Sequence, residues 1–106
     1  MNVNDAMARL NNNKKLYIML LKKFDGKTML DELLAKVAGG DVTAAEAAAH
    51  TLKGVAANLS LADLRAETEA IDNQLKKGDI NVDTADLEII MEETVKAVKI
   101  WLEENA

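Results

Sequence analysis

The stretch from Ala44 to Leu61, AAEAAAHTLKGVAANLSL, contains the only histidine of the chain, His50. Its apolar residues recur at intervals of three and four, the spacing of one face of an amphipathic helix. They are Ala45, Ala48, Leu52, Val55 and Leu59. At about 100° per residue, His50 is predicted to lie opposite the middle of this stripe, with its imidazole in water. The stretch therefore predicts a helix that presents one histidine to solvent.

Two residues close to His50 suggest a chemical role for it, although a lone histidine on a helix is usually a tolerated surface residue. Gly54 falls inside the predicted helix, where glycine costs about 1 kcal/mol relative to alanine. A missing side chain one turn from the imidazole lets the backbone of another molecule come close. Lys53, three residues after His50, can neutralise an anionic group on the ring. This combination suits a histidine that carries a phosphoryl group.

The remaining sequence predicts further amphipathic helices separated by short breaks. Their approximate ranges are residues 1–10, 14–24, 29–38, 61–77 and 84–104, and the helix of His50 lies between the third and fourth of them. Capping patterns predict helix starts at Asn4, Thr28, Thr43, Ser60 and Asp83. Because short connections make neighbouring helices antiparallel, we expect an all-α fold, an antiparallel up-down four-helix bundle with a short extra N-terminal helix. Residues 1–106 are predicted to form this single domain.

The composition narrows the possible functions. The 106 residues include no cysteine and no proline, and the net charge is −5. The absence of cysteine excludes disulfides and thiolate chemistry, and the negative net charge argues against a nucleic-acid partner. No stretch is apolar enough to insert in a membrane and no signal peptide is visible, so we expect a cytoplasmic protein. A monomer is the default expectation. The first methionine favours a free-standing chain. With one histidine and no calcium loop or phosphate loop, no metal site and no cofactor are predicted.

The sequence around the histidine resembles a known signature. His50-Thr51-Leu52-Lys53-Gly54, followed by Ala57-Asn58-Leu59, is similar to the motif of histidine-containing phosphotransfer (HPt) domains of bacterial phosphorelays. The resemblance extends from about residue 10 to residue 102 in length and helix order. The family usually has glycine ten residues after the histidine, where this chain has Ser60. We interpret Ser60 as a turn or cap residue; a positive φ there would cost a serine some stability.

The resemblance implies a role for each residue of the site. His50 would accept a phosphoryl group on Nε2, Lys53 would steady the phosphate, and Gly54 would let the partner approach. The docking face would be lined by Glu46, Ala47 and Ala57. The implied partners are response-regulator receiver domains, which bring the Mg²⁺, and a hybrid sensor kinase.

These expectations define a phosphorelay intermediate. An exposed imidazole is largely neutral at cytosolic pH and can attack phosphorus. His50 is predicted to take the group from one receiver aspartate and pass it to another, with no kinase activity of its own. The main alternative is a non-catalytic helical adaptor that binds receivers or other signalling partners through the same face. An oligomerising bundle with an incidental histidine is a third possibility, and it predicts a large exposed apolar stripe.

Overall fold

A computed structural model describes all 106 residues, and every regular element in it is an α-helix, as predicted. The six helices are α1 (Val3–Arg9), α2 (Lys14–Lys23), α3 (Gly26–Ala38), α4 (Val42–Asn58), α5 (Ala62–Lys76) and α6 (Ala85–Asn105). None of them combines the length and the apolar character that a membrane-spanning helix needs.

Asparagine and aspartate side chains start four of the helices. In each case the side-chain oxygen accepts a hydrogen bond from the backbone N–H three residues later, which satisfies a donor that has no partner within the helix. The four capping residues are Asn2, Asn13, Asp25 and Asp41. The predicted caps at Asn4, Thr28 and Thr43 were therefore wrong by two or three residues. Thr28 instead donates both its N–H and its hydroxyl to Asp25, so that α3 begins at Gly26.

The four longest helices, α3 to α6, contact one another in a closed ring. Each packs against the next along the chain, and α6 returns to α3. Connections of three residues join α3 to α4 and α4 to α5, and such short turns reverse the chain direction. The ring fits the predicted up-down order. The prediction of one extra helix was incomplete, because two helices lie outside the ring: α2 packs against α6, and α1 packs against α2.

Most of the buried residues of helix α4 are alanines. Its buried residues are Ala45, Ala49, Leu52, Ala56 and Leu59 at its end. The predicted stripe members Ala48 and Val55 are only half-buried. The buried stripe is therefore turned toward His50, relative to the prediction. Small side chains at the contact let α4 lie close to both α3 and α5.

Tyr17 ties the outer helix α2 to the bundle. Its hydroxyl donates a 2.8 Å hydrogen bond to the carbonyl of Leu59, and its ring packs edge-on against Trp101 of α6 with centroids 5.3 Å apart. Burial raises the pKa of the Tyr17 phenol. The buried hydroxyl remains a donor and fixes α2 beside the end of the histidine helix.

Ser60 occupies the turn between α4 and α5 with a φ of 55°. The predicted helix start at Ser60 was wrong, because α5 begins at Ala62 without a side-chain cap. The hydroxyl of Ser60 instead donates a 2.6 Å hydrogen bond to Asp5 of α1. The carbonyl of Ser60 accepts a 2.8 Å hydrogen bond from the N–H of Asn2. A residue with a left-handed backbone thus anchors the N-terminal helix to the turn.

We expect Ser60→Ala to destabilise the protein more than Ser60→Gly does. Alanine keeps the left-handed strain and loses the hydrogen bond to Asp5, a cost of about 1–2 kcal/mol. Glycine loses the same bond but relieves roughly 1 kcal/mol of backbone strain. Urea unfolding at neutral pH measures the free energy of unfolding of both variants. Equal stability of the two variants would show that the positive φ at this turn carries no strain.

Candidate functional site

His50 lies in the middle of α4 with its side chain 64% exposed. Ala47 and Gly54, one turn to either side, are also exposed. Together these three residues form an exposed ridge along α4. A Cβ atom built on Gly54 would meet no other atom within 4 Å. Neither packing within the chain nor backbone conformation requires glycine at this position, and its absent side chain leaves open space one turn from His50.

Asp72 of α5 lies beside the histidine, although its sequence neighbourhood did not single it out. Its side chain has no solvent exposure, and its Oδ2 atom is 3.6 Å from Nδ1 of His50. This separation is slightly longer than a hydrogen bond, and a small rotation of the exposed ring would close it. Asp72 comes four residues after Thr68 on the buried side of α5, a place where a charge needs a partner. An aspartate at this buried position of the helix is the feature by which the sequence could have identified Asp72.

Two lysines neutralise this buried carboxylate. Lys53 donates a 2.9 Å hydrogen bond to Asp72 Oδ2, and the Nζ of Lys76 is 3.3 Å from the same oxygen. Burial acts to raise the pKa of Asp72, but the hydrogen bond from Lys53 and the contact with Lys76 bring it below its ordinary value. The hydrogen bond to Asp72 in turn raises the pKa of Lys53. Lys76 is a second cation near His50 that the sequence did not reveal.

Glu46 faces α5 instead of the open face on which it was predicted. The side chain is half-buried, and its Oε2 atom is buried without a hydrogen-bond partner. The same is true of Asp72 Oδ1. One ligand atom from each of Glu46, His50 and Asp72 can be chosen so that all three lie within 4.8 Å of one another. The fold thus gathers two carboxylates, two ammonium groups and one imidazole at one place.

The last predicted docking residue, Ala57, lies one turn beyond the ridge and is half-buried. Its carbonyl accepts a 3.0 Å hydrogen bond from the guanidinium of Arg9 in α1. Arg9 also pairs with Asp5 at 3.3 Å. The N-terminal helix therefore borders the histidine helix at this end, and Arg9 places a positive charge near the predicted docking face.

Replacing Asp72 by asparagine is expected to lower stability in a pH-dependent manner. The folded pKa of Asp72 is lowered, so its ionised form stabilises the protein at pH values above about 4, and this contribution is lost as the pH falls through the folded pKa. We expect a loss of about 1–3 kcal/mol at pH 7, since both lysines can turn toward water. Urea unfolding at pH 7, 5 and 3 should show the difference from wild type shrinking only below pH 4.

The exposed Asp31 on α3 supplies the matched control, because Asp31→Asn removes a carboxylate that has no ion pair. A difference between wild type and Asp72→Asn that stayed constant down to pH 3 would contradict the assigned role of the buried charge.

Comparison with known protein families identifies the bundle. The model of the Hpt domain matches residues 24–104. The chain belongs to the Hpt domain family. The matched segment contains α3, α4, α5 and all but the last residue of α6, and therefore the ring and His50, whereas α1 and α2 lie outside it. Searches of curated proteins and of solved structures gave no significant match.

Membership in the family sets the general function. Hpt domains are phosphotransfer carriers of phosphorelays, not kinases, and they interact with receiver domains. The chain's one histidine lies on the exposed face of α4, within the matched segment.

Proposed function

We propose that this Hpt domain is a phosphorelay intermediate that accepts a phosphoryl group on His50 from a receiver-domain aspartate and passes it to another receiver. The observation that supports this most strongly is the pairing of an exposed imidazole with a buried carboxylate: His50 Nδ1 faces Asp72 Oδ2 at 3.6 Å. A carboxylate on one ring nitrogen holds the proton there and leaves the lone pair on the other.

The geometry favours Nε2 as the attacked atom. Since Nδ1 points to Asp72 inside the bundle, Nε2 points away from it, toward the side from which a partner comes. The Nε2 lone pair forms the bond to phosphorus while the bond from phosphorus to the aspartyl oxygen breaks, and its electron pair returns to the carboxylate. The ring then carries a positive charge, which Asp72 stabilises. Transfer to the next receiver reverses these steps.

The lysines supply charge for the incoming group. Phosphoryl transfer depends mainly on positioning and on neutralising negative charge. Lys53 and Lys76 both contact Asp72 Oδ2, so both ammonium groups lie next to the imidazole. Lys53, 21% exposed, is held in place, and Lys76, 45% exposed, is free to move toward a phosphate. We assign the phosphate-stabilising role to Lys53, as predicted, and add Lys76 to it.

The partner must supply the rest of the machinery. As the family resemblance implies, the Mg²⁺ is expected on the receiver, so phosphoryl transfer requires no cofactor bound to this domain. The exposed ridge, with His50 at its centre and Gly54 at one end, suits close approach of a receiver loop. These features fit a cytoplasmic monomer that binds a hybrid sensor kinase and a response regulator in turn.

Phosphoryl uptake from phosphorylated receiver domains tests the proposal. The label should be stable in alkali and labile in acid, the behaviour of phosphohistidine, and should appear as one shifted species on a phosphate-affinity gel. The ¹⁵N spectrum of His50 should place phosphorus on Nε2. Binding of receivers without any uptake would contradict the carrier function and support the adaptor alternative.

A further inference from the structure

Two carboxylate oxygens beside His50 have no hydrogen-bond partner although both are buried. They are Glu46 Oε2 and Asp72 Oδ1. An unpaired buried carboxylate oxygen is costly, and it is normally satisfied by a proton donor or a cation. The lysines do not satisfy these atoms, because both approach the other oxygen of Asp72. Each of these two oxygens would therefore be stabilised by a positively charged ligand beside it.

The imidazole completes a set of three donors at this place. Ligand atoms of Glu46, His50 and Asp72 lie within 4.8 Å of one another, one atom from each residue. Zn²⁺ binds imidazole nitrogen and carboxylate oxygen at about 2.0–2.2 Å in tetrahedral sites, so its donors are about 3.4 Å apart. The exposed His50 side chain and the half-buried Glu46 can close the remaining gap by rotation, and water can take the fourth position.

We propose that Glu46, His50 and Asp72 form a binding site for Zn²⁺ or a similar divalent transition-metal ion, and that its occupation blocks phosphoryl uptake. No metal site was predicted from the sequence, because a single histidine leaves any site dependent on carboxylates. The fold brings those carboxylates together from α4 and α5.

The chemistry of the block follows from the orientation of the ring. A neutral imidazole carries one proton, and a metal ion on Nδ1 occupies the lone pair of that nitrogen. The proton must then be on Nε2, which loses the lone pair needed to attack phosphorus. Zinc and the phosphoryl group thus compete through the tautomer of His50. This consequence rests on the proposed function, whereas zinc binding itself does not.

The positive charges of the two lysines lower the affinity for a metal ion, and removing one of them tests the proposal. The ammonium groups of Lys53 and Lys76 both contact Asp72, so an added Zn²⁺ is repelled by both. Lys76→Met removes one positive charge, and affinity for zinc should rise about 15-fold, the effect of one unit charge on a divalent ion roughly 5 Å away in water.

Calorimetric titration of the unphosphorylated protein with ZnCl₂ at pH 7 tests the site directly. One equivalent should bind, and His50→Gln and Glu46→Gln should each weaken binding by about tenfold or more, because loss of even a supporting residue commonly has this effect. Both variants change residues that are not fully buried, so the fold is retained. Glu93→Gln, an exposed acid on α6, should bind as wild type. Wild-type affinity in Glu46→Gln would mean that His50 binds zinc alone, and would overturn the proposal.

A second measurement tests the block. Phosphoramidate, a small phosphoryl donor, avoids any action of zinc on the Mg²⁺ site of a receiver. Zinc at a saturating concentration should abolish labelling, and a chelator should restore it. Labelling that continues with zinc bound would overturn the competition, whereas absence of labelling without zinc would contradict the proposed function instead.

Discussion

His50→Gln is expected to abolish phosphoryl uptake while the free energy of unfolding stays within about 0.5 kcal/mol of wild type. Loss of the attacking group removes the covalent step altogether, and removal of such groups commonly lowers rates by about a thousandfold or more. The fold should tolerate the change because the imidazole is 64% exposed and its ionic contact with Asp72 is long, at 3.6 Å.

Two measurements separate chemistry from folding in this variant. Uptake from a phosphorylated receiver is followed on phosphate-affinity gels, and stability is measured by urea unfolding. Glu93→Gln on α6, across the ring from α4, is the control that should transfer at the wild-type rate. Residual acid-labile label in His50→Gln would place the phosphoryl group on another residue and contradict the assigned site.

Substitutions at Gly54 are expected to change stability and transfer in opposite directions. An added Cβ meets no atom within 4 Å, and alanine is favoured over glycine in a helix by about 1 kcal/mol. Gly54→Ala should therefore be more stable than wild type. Gly54→Gln, with a long side chain one turn from His50, should lower transfer from a receiver by about a hundredfold, since a displacement of 1 Å at the reacting atoms has that effect.

A small phosphodonor distinguishes a steric block of receiver docking from a direct effect of the substitution on His50. Phosphoramidate is small enough to reach His50 without docking, so it should label Gly54→Gln at the wild-type rate. Ala97→Gln places the same side chain on the exposed face of α6 and should change neither assay. Equal loss with both donors would mean that Gly54 acts on the imidazole itself and not on the approach of a partner.

Local sequence patterns predicted the helices well and their starting residues less well. The periodicity of apolar residues located all six helices, because that pattern follows from one side of each helix being buried. The starts of α3 and α4 were misplaced, since Asp25 and Asp41 cap more strongly than the threonines that follow them. Ser60 fitted a capping pattern equally well, and its hydrogen bond to Asp5, 55 residues away in the chain, could not be foreseen.

The amino-acid pattern alone was sufficient for the helical class, for the exposure of His50 and for the resemblance to Hpt domains, because each depends on residues within a few turns of one helix. The surroundings of His50 depended on how α4 and α5 pack. Asp72 reaches the imidazole and Lys53 from another helix, and Glu46 turns toward Asp72 because the buried stripe of α4 is rotated from its predicted position. Such a rotation is set by side chains fitting between helices, and no local pattern contains it.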